Sequence, residues 1–535
     1  MLHWADFTAS RLAGRGSTHV VSTGITPSGI FHIGHIREIL TGDMLTRAAL
    51  DAGMDVEMIF IIDTADPLRK VYDFLAPEFE NYIGHPIGAI PAPDGAGKPS
   101  EGGNYGEHFL SPFVEALKLI GVEPRLVDNY QSYLEGRFNP AIRTFIDKRE
   151  QAREIIERVS GRELEDDWFP FNPVGSDGSM DGVVVVGHDW PVIHWRDSLG
   201  VEGSCDLSQT GVFHGKLPWR LDWPAKWAWL GVTCEPFGKD HGAAGGSYDT
   251  GSELSALLDY EAPLPLTYEW IQLKGMGAMS SSSGITIGPL EALRLVPPEI
   301  LRYLIARNKT NRHIDFDTGD ALIELADEYE HLLGRVAQEG DVMAGDLKRR
   351  QKVAWEVDRA QIRLSQVKRG TQPELEATSV SFRHLAMLAQ IRERDDDIWG
   401  SLHSSGHLAA PQPSTTLAKR LSCIRVWIGS EHFPEGFRLR IQSQPSAAAL
   451  ENVTPQTREY LSALAAELAH CEWSTDSISN AIRKLANEYE IVLRQAFILL
   501  YWIFLDQHYG PKMASLLFEL PRSEVVALLG GVVTE

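Results

Sequence analysis

The spacing of apolar and polar positions divides the chain into an alternating first part and a helical last part. Thr18 to Thr23 is a short β-rich run that closes on Gly24, and a loop with Pro27 and Gly29 follows. From His32 to Ala52 the apolar residues recur at helical spacing. Val56 to Ile62 is an unbroken apolar run ending at Asp63, the pattern of a parallel strand buried on both faces. Strand, Gly/Pro turn, helix and strand in that order predict a doubly wound α/β sheet. Pro91 to Asn104 reads as a surface loop, and Asn139 to Gly161 as a charged helix. Around Pro170 to Gly187 the pattern breaks into turns with a Val183–Val186 strand, and the block up to Leu217 reads as an insertion into the sheet. Residues 219–318 return to α/β character, with Trp219, Trp223, Trp227 and Trp229 close together. From Gly319 onward the pattern is helical: Leu322, Leu325, Tyr329, Leu332 and Leu333 recur at helix spacing. A Pro/Ser/His-rich break runs from Leu402 to Thr416, and further helices are expected over Arg458–Cys471 and Ser477–His508.

The expected organisation is an α/β domain from 1–135 and 219–318, an inserted subdomain at 136–218 and an all-α region at 319–535. A chain of 535 residues with 43% hydrophobic positions is long enough for about three domains, each with its own core. The longest apolar run, Ala496 to Leu505, is half of the roughly 20 residues that span a bilayer, so no membrane partner is expected. Met1–Asp6 has no charged segment leading into an apolar one, so no secretory signal is read there. The four cysteines, Cys205, Cys234, Cys423 and Cys471, form no C-x-x-C pair. That argues against a disulfide scaffold and points to the cytoplasm. A net charge of -23 opposes indiscriminate nucleic-acid binding, although a local basic face can still dock phosphate.

The densest chemical signal is Pro27-Ser28-Gly29-Ile30-Phe31-His32-Ile33-Gly34-His35, between the first strand and the first helix. Backbone N–H groups at a helix N-terminus face anions. Two imidazoles three residues apart share one helix face and can donate to phosphate oxygens as charge develops there. Gly34 between them leaves room for an adenine ring against the backbone.

His-Ile-Gly-His in this setting resembles the first signature of class I aminoacyl-tRNA synthetases. Longer segments narrow the resemblance to class I lysyl-tRNA synthetases of the archaeal type. They are Thr23-Gly24-Ile25-Thr26-Pro27-Ser28-Gly29, Asp66-Pro67-Leu68-Arg69-Lys70, Lys216-Leu217-Pro218-Trp219-Arg220 and Glu235-Pro236-Phe237-Gly238-Lys239-Asp240-His241. The likeness runs in register over roughly 1–345 and resumes near Tyr509-Gly510-Pro511-Lys512. It implies a Rossmann-type catalytic domain, ATP arriving with Mg²⁺, and lysine activation as lysyl-adenylate. It also implies transfer to tRNA, most simply the tRNA for lysine. By the same resemblance Pro27, Ser28, Gly29, His32, Gly34 and His35 hold ATP. Gly24, Thr26, Trp227, Asp240, His241 and Tyr268 then shape the lysine pocket. A substrate ammonium wants a carboxylate and aromatic faces, which Asp240 and Trp227 can supply.

Two departures stand out. Where the family carries Lys-Met-Ser-Ser-Ser-Lys-Gly, this chain has Ala278-Met279-Ser280-Ser281-Ser282-Ser283-Gly284. Both lysines that would neutralise pyrophosphate are absent, and Lys274, four residues upstream, is the candidate replacement. Of the loop residues expected at ATP, Met279 and Ser280 to Ser283, the serines retain hydroxyls, but none brings charge. The cysteine pairs that archaeal relatives carry in the insertion are also missing, so no structural zinc is expected. In the helical region, which the resemblance makes an anticodon-reading cage, Lys348-Arg349-Arg350 with Lys352 is the densest basic cluster. Arg420, Arg425, Arg438 and Arg440 form a second, with Trp427 and Phe433 positioned to stack on an unpaired base. No interface pattern is visible, so a monomer is the default. The alternative to a lysine–tRNA ligase is a paralogue that binds lysine or tRNA without useful charging, or that serves another acceptor.

Overall fold

The computed structural model describes residues 2–273, 277–278, 287–339, 348–372 and 380–534. Lys274, Met279 and Ser280 to Ser283 lie outside the described residues. Two compact units emerge. The first comprises 1–293, 301–316 and 344–371, and the second 294–300, 317–343 and 372–535. Residues 344–371 thus group with the first unit, although they lie beyond the change of pattern near 320.

The first unit is built on five parallel strands: β1 (Thr18–Ile25), β2 (Asp55–Ile62), β3 (Arg125–Asp128), β4 (Cys234–Gly238) and β5 (Leu264–Tyr268). Their spatial order is β5-β4-β1-β2-β3. β1 and β2 pair in register from Thr18 opposite Asp55 to Ile25 opposite Ile62. Met58 to Ile62 are buried, which is why that stretch reads as one continuous apolar run. The order reverses between β1 and β4, and such a reversal opens a crevice at the carboxyl ends of the strands. Helix α1 (Ile36–Asp51) returns the chain from β1 to β2. It lies close on the sheet because a Cβ at Gly42 would come within 2.8 Å of the Thr23 methyl group. Helix α2 (Trp219–Leu230) leads into β4.

The insertion carries a three-stranded antiparallel sheet, Val184–Asp189, Val192–Arg196 and Glu202–Asp206. Its core joins Phe138, Phe145, Phe171 and Trp195 to Leu221 of α2. Pro91–Asn104 is a small hairpin (Pro91–Pro93 with Pro99–Asn104) rather than a loop. Its turn is stabilised by Asp94 Oδ1, which accepts from the N–H groups of Ala96 and Lys98 at 2.8 Å. Prolines in both arms, and Gly102 and Gly103 in the second, erase the alternation that would mark strands.

Helix α3 (Arg349–Ser365) is moored to the first unit by two arginines. Arg302, fully buried, pairs with Asp43 at 2.5 Å and donates to the Leu364 carbonyl at 3.0 Å. Arg47, held by Asp43, donates to the carbonyls of Gln366 and Gly121 at 2.6 Å.

The second unit is almost wholly helical, with its longest helix at Asp320–Glu339. The stretch expected as one helix over Ser477–His508 is two, Thr475–Glu488 and Leu493–Leu505. Glu490 between them takes φ 53°, a left-handed conformation that a helix cannot pass through. No described helix is long and apolar enough to cross a membrane.

Candidate active site

β1 delivers the chain to the crevice, and the Pro27-to-His35 segment crosses its rim. Pro27 and Gly29 are buried. The Ser28 carbonyl is fixed by the Tyr105 hydroxyl at 2.7 Å, and Thr26 Oγ1 donates to Asp66 at 2.8 Å. His32 caps a short 3-10 turn, Ile33–His35, that runs into α1. Its Nδ1 accepts from the Gly34 N–H at 3.1 Å. That bond leaves the proton on Nε2, which is the donor a phosphate oxygen would use. The rings of His32 and His35 lie 4.0 Å apart. Burial lowers the pKa of His32 to about 4. Burial, reinforced by the neighbouring His32, lowers that of His35 to about 3. Both are therefore neutral near pH 7 and offer N–H donors rather than positive charge.

One turn along α1 from His35, a pocket opens beneath the crevice. It is lined by Gly24, Glu38, Asp63, Trp219, Trp223 and Glu235, with Lys226, Phe237 and His241 among the other walls. Glu38 Oε1 accepts from the Gly24 N–H at 2.7 Å, and Oε2 from the Tyr268 hydroxyl at 2.6 Å. Glu235 accepts from the indole N–H of Trp223 at 2.9 Å and from that of Trp227. Burial raises Glu38 to about 7 and Glu235 to about 8, against these hydrogen bonds, which pull them down. Among the described residues neither carboxylate is in an ion pair, although the nearby Lys226 ammonium also pulls Glu235 down. Lys226 serves Asp63 at 2.5 Å and Asp222 at 2.8 Å instead. Asp222 also accepts from the Tyr133 hydroxyl at 2.6 Å. Asp66 pairs with Lys216.

Gly24, Tyr268 and His241 thus meet at this pocket, Gly24 and His241 as lining and Tyr268 through Glu38. Thr26 stands beside it, on Asp66. Trp227 is fully buried behind Trp223 and is not part of the lining. Asp240 is exposed and is not part of it either. Beside Asp63, which Lys226 pairs, the pocket carboxylates are Glu38 and Glu235, which sequence reasoning did not single out.

Both expected sides of the second basic cluster are otherwise engaged. Trp427 is fully buried and donates to the Thr318 carbonyl at 2.8 Å, with Phe433 packed on its face. They form core and cannot stack on a base. Arg420 is buried against Glu330 and Glu299. Arg425 ties down the carbonyls of Ala389, Arg392 and Glu393 at 2.9–3.0 Å. Arg438 and Arg440 both reach Glu435. Lys348, Arg349, Arg350 and Lys352 are exposed. Among the described residues no group of three His, Cys, Asp or Glu side chains is placed to hold a metal ion.

Residues 2–361 match the family described as tRNA synthetases class I (K). The chain is 34% identical to a lysine–tRNA ligase of Picrophilus torridus, with all of both chains covered. It is 36% identical to one of Archaeoglobus fulgidus, over 99% of this chain and all of that one. Against lysine–tRNA ligase 1 of Methanosarcina acetivorans the identity is 44% over 67% of this chain and 66% of that one.

Proposed function

Because the chain belongs to the class I (K) tRNA synthetase family, we propose that it activates L-lysine with ATP and transfers the lysyl group to tRNA. The observation that carries the reading is a pair of carboxylates, the half-buried Glu38 and the buried Glu235, whose hydrogen-bond donors are all neutral and which are walled by Trp219 and Trp223. Lysine brings two ammonium groups, and buried carboxylates beside indole faces are what they need. The lysine carboxylate then attacks the α-phosphate of ATP, a P–O bond to it forms, and pyrophosphate leaves. His32 and His35 donate to the phosphate oxygens and hold the chain of atoms in line. A ribose hydroxyl at the tRNA 3′ end next attacks the lysyl carbonyl and AMP leaves. Mg²⁺ accompanies ATP. Lys274 is the candidate for the charge that Ala278 and Ser283 do not bring to pyrophosphate. The protein works in the cytoplasm, where lysine, ATP and tRNA are at hand, and as a monomer.

The test is lysylation of tRNA by the purified protein with ATP and Mg²⁺. Charging is expected, and its absence with intact tRNA binding would sink the ligase reading. Glu38→Gln removes a charged partner but keeps an acceptor for Gly24 and Tyr268. A hydrogen bond to a charged group contributes about 1.5–3 kcal/mol, so the KM for lysine is expected to rise about 10- to 100-fold. The KM for ATP stays put. An unchanged lysine KM would remove Glu38 from the pocket.

The same carboxylates set a pH dependence. In the folded protein Glu38 and Glu235 titrate near 7 and 8, above their unfolded value of 4.5. At these two groups the folded state therefore binds more protons than the unfolded between pH 4.5 and 8, so the stability they contribute is fullest below pH 4.5 and is lost as pH rises through 7 to 8. A bound ammonium favours the ionised forms. Lysine binding at pH 7 should then release protons, and affinity should climb from pH 6 to 8. Calorimetry in two buffers of different ionisation enthalpy reads this directly; proton uptake would contradict it.

A further inference from the structure

The insertion ends on a buried lysine. Its residues Gly215 and Lys216 pair antiparallel with Asn172–Pro173. The approach is so close that a Cβ on Gly215 would fall 2.1 Å from the Asn172 carbonyl oxygen. Lys216, buried, sends its ammonium to Asp66, in the segment that follows β2. Burial pushes the Asp66 carboxyl up, but the Lys216 ammonium overrides it and holds the group below the ordinary aspartate range. Asp66 is thus an anion at neutral pH. One oxygen accepts from Lys216, and the other, Oδ2, accepts from Thr26 Oγ1 at 2.8 Å. The backbone around Asp66 is held as well. Its carbonyl accepts from the Ile87 N–H at 2.9 Å, and Leu68 accepts from Gly84 at 2.8 Å and donates to His85 at 2.9 Å. The insertion grips that second segment too. The Met180 N–H donates to the Gly84 carbonyl at 2.9 Å, and His85 Nε2 donates to the Asp177 carbonyl at 2.9 Å.

We propose that Lys216 is a positioning residue for nucleotide binding: through Asp66 it fixes Thr26 and, with it, the start of the Pro27-to-His35 segment. The inference rests on the reading of that segment as the holder of ATP. Thr26 stands one residue past β1, and the Ser28 N–H donates back to its carbonyl at 2.8 Å, so the turn that carries Pro27 moves with it. An ionised acceptor makes a hydrogen bond roughly twice as strong as a neutral one, and Asp66 is ionised because Lys216 faces it. Lys216 does not line the lysine pocket, and its ammonium is engaged by Asp66. It therefore acts on the substrate only through the residues it holds. A shift of about 1 Å in a group that positions substrate costs about 100-fold in rate. The seating of the insertion is felt at the phosphates through this chain of contacts.

The experiment measures Mg·ATP affinity of the full-length protein by calorimetry, beside lysine-dependent ATP–pyrophosphate exchange. Lys216→Met alone would strand a buried carboxylate, so it is combined with Asp66→Asn. In that neutral pair Thr26 keeps an acceptor, but the acceptor has lost its pin. Thr26→Val leaves the ion pair in place and removes the hydroxyl that Asp66 holds. Each change should weaken ATP binding about 10-fold, the loss of one charge-assisted hydrogen bond, and slow exchange about 100-fold. Because both break the same chain, the triple variant should lose no more than the worse of the two, which a general loss of stability would not produce. Losses that multiply in the triple variant overturn the inference. Wild-type ATP affinity in the neutral pair overturns it too, and so does wild-type affinity in Thr26→Val, which answers even where the pair does not fold. Wild-type protein that binds Mg·ATP but shows no lysine-dependent exchange defeats the ligase reading alone, and the inference is then read from ATP affinity. Wild-type protein that binds no ATP defeats both.

Discussion

His32→Ala and His35→Ala should each cut lysine-dependent ATP–pyrophosphate exchange by about 100- to 1,000-fold, the cost of one preorganised donor to a developing charge. The two rings are 4.0 Å apart and neutral, so each contributes through a fixed N–H rather than through net charge. The demand on them is high, because Ala278 and Ser283 stand where lysines would share it. His32 also accepts from the Gly34 N–H, and losing a cap of that kind costs about 1 kcal/mol of stability. His32→Asn separates the two roles. Its side chain can accept from Gly34 while presenting an N–H, so stability should hold and part of the exchange rate should return. Exchange within threefold of wild type in His32→Ala would remove the imidazole from the mechanism.

Lys226→Met should destabilise the first unit by about 3–5 kcal/mol, the penalty for leaving a buried ion pair half removed. Lys226 serves two buried carboxylates at once, Asp63 at 2.5 Å and Asp222 at 2.8 Å. Burial already raises Asp63, with Lys226 opposing it, and losing the lysine pushes it further. Asp63 then folds only as the neutral form. The deficit should therefore be largest near pH 8 and shrink toward pH 5, where protonation costs little. Urea unfolding at the two pH values, followed by the fluorescence of Trp219, Trp223 and Trp227, reads it. An equal loss at both, or one below about 1 kcal/mol, would mean that the pair is not sustaining two charges.

The strand–turn–helix–strand opening was legible because its apolar runs are unbroken and its turn is marked by Pro27 and Gly29. The histidine turn was legible for the same reason. The pocket was harder. Glu38 stands three residues beyond His35, half-buried among the buried Ile36, Ile39 and Leu40, and a charged residue set between buried helical positions was the available signal. Glu235 lay inside a quoted segment, but its donors come from Trp223 and Trp227, one turn apart on α2. That pairing exists only once α2 packs on β4. Trp219, Trp223 and Trp227 follow one another by a turn on one face of α2 and differ in depth: Trp219 and Trp223 reach the pocket, whereas Trp227, one turn further on, lies in the core behind Trp223. In the second unit, Leu417, Leu421, Ile424 and Trp427 recur at helical spacing on the buried side of Thr415–Ile428. Arg420 falls on that stripe, so it serves Glu330 and Glu299 rather than a nucleic acid.

The mooring of α3 by Arg302 and Arg47 bears on how the gene can be cut. A stop codon after residue 318 would sever the chain where its sequence pattern changes. It would also remove the Leu364 and Gln366 carbonyls that these guanidinium groups hold. Two arginines and Asp43 would then face solvent or a void on the flank of the helix that carries the histidine turn. A catalytic fragment made that way would be short of its own fold, and silence from it would say nothing about the chemistry.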